Sequence, residues 1–179
     1  MIEIVSIISL IFYFLFLSLF PLNSFSEKIS VNSIRKYFLI DKLSTNIIIN
    51  INLLFILSLL KIDLLMIFYL QLVSGLIFFI YFLKSKKHFN FDDFILLKVV
   101  FIITFVLSLV VASKLSLGWD SDFRWIIKAL NFVQGNNIDN LKNLVDPEYP
   151  YLGSLLWGFF WKISFLEYEY FGRLFYVYL

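Results

Sequence analysis

The sequence predicts an all-α fold: a multi-span transmembrane helical bundle with an external loop that contains juxtamembrane amphipathic helices. Three observations predict it. The 179 residues are 61% hydrophobic and 21% aromatic, with a mean hydropathy of +0.88, more apolar surface than a soluble fold of this size covers. Apolar runs near the roughly 20 residues that a helix needs to cross a bilayer recur along the chain. Basic residues concentrate in two of the connecting segments, as positively charged cytoplasmic loops do.

Five runs are expected to cross the membrane. The first, about 4–20, stops at Pro21 and is preceded by Glu3 rather than a basic segment, so it reads as a retained anchor and not a cleaved signal. The second and third, about 43–60 and 64–83, form a tight hairpin turned at Lys61-Ile62-Asp63. The fourth, about 94–112, has Lys98 near enough to its start to snorkel. The fifth, about 151–166, is short and carries Trp157 and Trp161 on one face, as interfacial anchors or as bundle packing. Three regions follow: four spans in 1–112, an external loop in 113–150, and a fifth span with the start of a sixth in 151–179. The ten residues after Glu169 are half a span, so the chain is expected to be the N-terminal piece of a longer protein.

Segment 21–45 carries Lys28, Arg35, Lys36 and Lys42, and segment 84–93 carries Lys84, Lys86 and Lys87. Both belong on the cytoplasmic side, so the Lys61 turn and the 113–150 loop face outward together. An integral protein of the bacterial inner (plasma) membrane is expected, with the lipid bilayer as its first partner. Inside the spans, Asn50 and Asn52 are expected to hydrogen-bond to neighbouring helices, and Gly75 beside Ser74 to allow close packing.

Several function classes are disfavoured. A net charge of +2 gives no support to a nucleic-acid partner. Without cysteine there are no disulfides or thiol nucleophiles. His88, alone in a lysine-rich turn, reads as a solvated loop residue. Walker, zinc and nucleophile-elbow motifs are absent.

The loop is where chemistry is expected. Gly118-Trp119-Asp120-Ser121-Asp122 stands where the fourth apolar run ends, and carboxylates at a membrane boundary are costly unless something receives them. Phe123, Ile126, Ile127, Leu130 and Val133 recur at helical spacing over 121–134, with Arg124, Lys128 and Asn131 on the other face. That predicts an amphipathic helix along the membrane surface, capped by Ser121 and ended by Gly135 at the C′ position. A second short helix is expected over 138–145, with Ile138, Leu141 and Val145 on one side, ending before Pro147. Asp120 would serve as general base, with Asp122 a dipole-complementing residue or second carboxylate. Arg124 and Lys128 would bind a phosphate, and they or a divalent metal would offset charge on the leaving group. Trp119 and Trp125 read as interfacial anchors, and Asp146 and Glu148 as ordinary loop acids, with lining of the acceptor groove as the lesser alternative.

These residues also resemble a known family. Gly118-Trp119-Asp120, Trp125, Lys128-Ala129 and Asp146-Pro147-Glu148-Tyr149-Pro150 look like the first external loop of GT-C glycosyltransferases. These are multi-span enzymes that take sugars from polyprenyl-phosphate carriers and are related to protein mannosyltransferases and lipid A aminoarabinose transferases. In that family the acidic residue just after a span is the catalytic carboxylate, the position of Asp120 here. Phe171-Gly172-Arg173-Leu174 resembles the start of the family's next helix. The likeness covers roughly 115–175. Many relatives have histidine at the position of Asp146, and Tyr151 replaces a frequent second proline. The resemblance implies transfer of a sugar from a polyprenyl-phosphate carrier to an acceptor on the external face. The alternative is a non-catalytic multi-span protein, a transporter piece or assembly subunit.

Overall fold

The computed structural model describes residues 2–19, 38–84, 91–114, 124–148 and 150–179. Among them the fold is all-α. Four long helices come first: α1 (Ile2–Leu19), α2 (Phe38–Leu59), α3 (Leu64–Lys84) and α4 (Phe91–Lys114). Then follow α5 (Ile126–Val133), a 3-10 helix (Ile138–Asn143), α6 (Leu152–Ile163) and α7 (Tyr170–Tyr178). Within α1, α3 and α4, the stretches Ile2–Leu19, Leu64–Tyr81 and Ile95–Ala112 are long and apolar enough to cross a membrane; α2 contributes a shorter apolar stretch, Leu43–Leu59.

The long helices obey the rule that no backbone polar group goes unsatisfied in hydrocarbon. The last turn of α1 leaves carbonyls without intrahelical partners, and α2 supplies them. The Asn46 side-chain amide donates to the Ser18 carbonyl at 2.7 Å, and that of Asn50 to Leu17 at 3.1 Å and to Asn46 at 2.9 Å. Asn50 therefore bonds across helices as expected. Asn52, by contrast, is exposed and bonds only to Ile48 of its own helix. Deeper in the pair of α1 and α3, the Tyr13 hydroxyl donates to Gln71 Oε1 at 2.6 Å. Gly75 works as its size suggests, since the ring of Phe16 lies where a Cβ would be.

The α2–α3 hairpin turns at Lys61, whose φ of 62° lies in the left-handed region. Asp63 then caps α3, its Oδ1 accepting the Leu65 N–H at 2.8 Å. This turn is tied to the later segments by two ion pairs, Lys61 with Asp139 and Lys162 with Asp63 at 3.0 Å. The hairpin turn and the 124–148 segment accordingly share one end of the bundle, as the charge pattern requires.

α5 and the 3-10 helix cap that end, while α6 and α7 pack among the long helices, Tyr178 reaching Phe14 with ring centroids 4.9 Å apart. Here the structure departs from the expected fifth span. The run 151–166 folds as the 12-residue α6, about 18 Å long at 1.5 Å per residue and short of a ~30 Å hydrocarbon layer. Most of α6 is packed within the protein. Leu155 is 0% exposed and Phe159 2%, against Ile7 and Ile11 of α1 and Phe171 and Leu174 of α7. Tyr13 meets Phe159 and Phe160 edge-on or tilted within 6.3–6.4 Å, a favourable aromatic arrangement. Trp157 and Trp161 are therefore packing residues, at 4% and 9% exposure. The molecule's main core lies between α1, α6 and α7.

Candidate functional site

α5 ends as its sequence predicts. Gly135 takes φ +86°, its N–H reaches the Phe132 carbonyl at 3.1 Å, and the Asn136 N–H reaches Asn131 at 3.1 Å. This doubly bonded stop is the Schellman arrangement. The start of the expected helix, with Ser121 and Phe123, lies outside the described residues. The chain from Arg124 to Trp125 makes a π-type turn before the α-helix begins at Ile126.

The polar side of α5 packs inward, against the protein. Lys128, Ala129, Asn131 and Phe132 are buried, with Lys128 at 1% exposure, whereas Leu130 is 39% exposed. The polar side faces the protein because partners wait there. The Lys128 ammonium donates to the Asp146 carbonyl at 2.6 Å, and the Asn131 amide donates to the Asn137 carbonyl at 3.4 Å. Beneath α5 lies α6, close enough that a Cβ on Gly158 would stand 2.8 Å from the Ala129 carbonyl oxygen. Ser154 Oγ donates to the Trp125 carbonyl at 3.1 Å. Such contact needs the small residues of α6 on that face.

Asp146 organises the site. Its φ of 51° lies in the left-handed region, which aspartate tolerates better than most residues. In that conformation its carbonyl serves Lys128 while its carboxylate lies 2.6 Å from Arg124 Nε. Burial draws the Lys128 ammonium below the usual lysine range; the Asp146 carboxylate opposes that shift and the Arg124 charge adds to it. The geometry brings together two cations and one carboxylate from two loop segments 18 residues or more apart, at the capped end of the bundle.

Of the expected site residues, Arg124 and Lys128 are brought together here. Asp120 and Asp122 lie outside the described residues, as do Trp119, Tyr149 and His88. Trp125 packs against the cluster of Ala129, Trp157 and Trp161, not at a lipid boundary alone. The second helix of the loop is shorter than expected: a 3-10 helix over Ile138–Asn143, capped by Asn137, whose side chain accepts the Asp139 N–H at 3.1 Å. Leu141 is its buried residue, while Val145 is 43% exposed. Among the described residues no three His, Cys, Asp or Glu side chains gather as a metal-binding group.

Sequence reasoning took Asp146 for an ordinary loop acid. The signal that would have singled it out is weak: an aspartate directly before Pro147, where the following ring restricts the backbone. A second cluster also went unread. Glu169 pairs with Arg173 at 2.7 Å, one helical turn apart, and the Trp157 indole donates to the Glu169 carbonyl at 3.0 Å. Gly172 permits this, because the same indole occupies the place of its missing Cβ. Comparison with known proteins found no matching family model, no matching curated protein and no matching solved structure.

Proposed function

We propose that this chain is, or belongs to, a membrane glycosyltransferase that moves a sugar from a polyprenyl-phosphate carrier to an acceptor on the external face. The supporting observation is the joining of Arg124 and Lys128 at Asp146, on the segment that directly follows Asp120 and at the capped end of the bundle. Asp120 would take the acceptor's proton, and Arg124, less buried than Lys128, would meet the carrier phosphate. Lys128 would act through Asp146 by holding the loop in place.

Changing Asp120 to Asn tests the reading in the full-length protein, with a radiolabelled polyprenyl-phosphate sugar as donor. Loss of a general base is expected to slow transfer by about 10²–10⁴-fold with insertion and abundance unchanged. Equal activity of that variant would remove Asp120 from the mechanism.

One observation favours the non-catalytic reading. Lys128 is 1% exposed and its charge is spent on a backbone carbonyl, as in a purely structural anchor. Under that reading, substitutions at Asn50 or Gly75 impair the protein more than any change at Asp120.

A further inference from the structure

Between α1, α3 and the turn after α6 runs a cavity of about 780 Å³, half open to the outside of the bundle. It falls within the roughly 300–1,000 Å³ of ordinary ligand pockets, which are mostly apolar with a few placed polar groups. Its walls include Phe16, Phe68, Leu72 and Phe165, with Ser6 and Ser9 three residues apart on α1. Lining residues on α1 run from Ile2 to Phe16, about 21 Å of helix at 1.5 Å per residue. One leaflet of a bilayer's hydrocarbon is about 15 Å deep. The groove is thus long enough for one lipid chain and its ester region.

Polarity changes along it. Phe16, Leu72 and Leu76 line the deep part, and the serine hydroxyls line the part toward the capped end. At that end two carboxylates flank the lining residues in sequence: Glu3 follows Ile2, and Glu167 follows Leu166. Both are exposed. Glu3 also stands beside the Tyr170 hydroxyl, which burial first and this carboxylate second push up to about 12. Lys162, five residues before Glu167, is held by Asp63 at 3.0 Å. Two exposed carboxylates therefore adjoin residues of the mouth.

We propose that the groove holds one acyl chain of a phospholipid with an amine headgroup, such as phosphatidylethanolamine, its ammonium at Glu3 and Glu167 and its ester oxygens at Ser6 and Ser9. An anionic headgroup would meet like charge at the same place. Fixed packing against Phe68 and Phe165 distinguishes this chain from the surrounding lipid, since apolarity alone gives no preference inside a bilayer. The assignment rests on α1 and α3 crossing a membrane and is independent of any transfer chemistry.

The test uses the full chain in vesicles of phosphatidylethanolamine and phosphatidylglycerol, each in turn doped with a version carrying a photoreactive diazirine on its acyl chain. Labelled positions are mapped by peptide mass spectrometry. The ethanolamine probe is expected to label α1 and the 163–166 turn about fivefold more than the glycerol probe, the upper end for an exposed amine–carboxylate pair. Glu3→Gln with Glu167→Gln should abolish that preference, and Ser9→Trp should narrow the groove and cut labelling there. Ile103→Trp on α4 should change nothing. Equal labelling of the groove and the Ile103 face would overturn the site, leaving unselective boundary lipid. Equal labelling by both probes in the unchanged chain would overturn the headgroup assignment. No labelling of the groove by either probe, with the Ile103 face still labelled, would mean that a second chain covers it and would overturn the lipid assignment. The unchanged chain alone decides these outcomes, so a variant that misfolds leaves the test intact.

Discussion

α4 and α6 are both strongly apolar, yet they meet opposite fates. In the apolar stretch of α4, 11% of residues are buried within the protein, whereas α6 buries nine of its twelve. In water such a difference would mark α4 as misplaced. In a bilayer it does not, because lipid tails receive leucine as readily as a protein core does. Burial is decided there by packing shape and by polar groups that need partners. α6 has small residues, Ser154 and Gly158, where α5 crosses it, and aromatic rings that interlock with α1 and α7. α4 has a rim of Ile and Val facing outward.

The sharpest way to break this contrast is to truncate one leucine-like side chain on each helix. Leu155→Ala is expected to destabilise the fold by about 2–5 kcal/mol through lost packing, while Ile103→Ala stays within about 0.5 kcal/mol. Thermal unfolding in detergent, followed by tryptophan fluorescence, would show it; similar losses at both sites would mean that α4 is packed as tightly as α6. Next in size is Gly158→Ala, where the new methyl presses on the Ala129 carbonyl and costs about 1–3 kcal/mol. Separation of α5 from α6, read by a disulfide engineered across them, should follow.

A smaller effect tests the inward polar face of α5. Lys128→Met keeps the stem but leaves the half-buried Asp146 carbonyl without its donor, at a cost of about 1–3 kcal/mol. Leu130→Ser, on the outward face, should cost less than that. The reverse order would mean that Leu130, and not Lys128, packs against the protein.

The smallest effect concerns the ties between hairpin and cap. At Asp63, burial alone would raise the carboxyl, but the Lys162 ammonium and the Leu65 and Met66 N–H groups outweigh it, and the net shift is downward. At Asp139 the Lys61 contact lowers it. A carboxylate lowered in the folded state stabilises the fold above its unfolded value, about 3.9. That contribution disappears as the pH falls further, through the folded value. Unfolding scans from pH 6 to pH 2.5 should show this loss only below about pH 4, and a Asp63→Asn, Asp139→Asn double variant should lack that component.

Much of the framework was legible. Hydropathy alone located α1 to α4 within a few residues, since hydrocarbon thickness sets helix length. Gly135 was legible as a helix stop because few other residues accept its φ, and Gly75 as a packing site because it lacks a side chain. Asn46 was overlooked although it stands one turn before Asn50 on the same face. The site was less legible. Arg124 and Lys128 could be read as neighbours on one helical face, but not that Asp146, far along the loop, would receive both.

By itself the sequence determined which stretches are apolar enough for lipid, where helices must stop, and on which end the charged turns gather. These follow from local composition and backbone limits. Only the tertiary structure decided that α6 is packed core, and that α5 turns its polar face inward. An apolar residue is nearly as stable against lipid as against protein, so periodicity cannot say which way a helix faces. A buried ammonium needs a specific acceptor, and only the folded chain shows where that acceptor is.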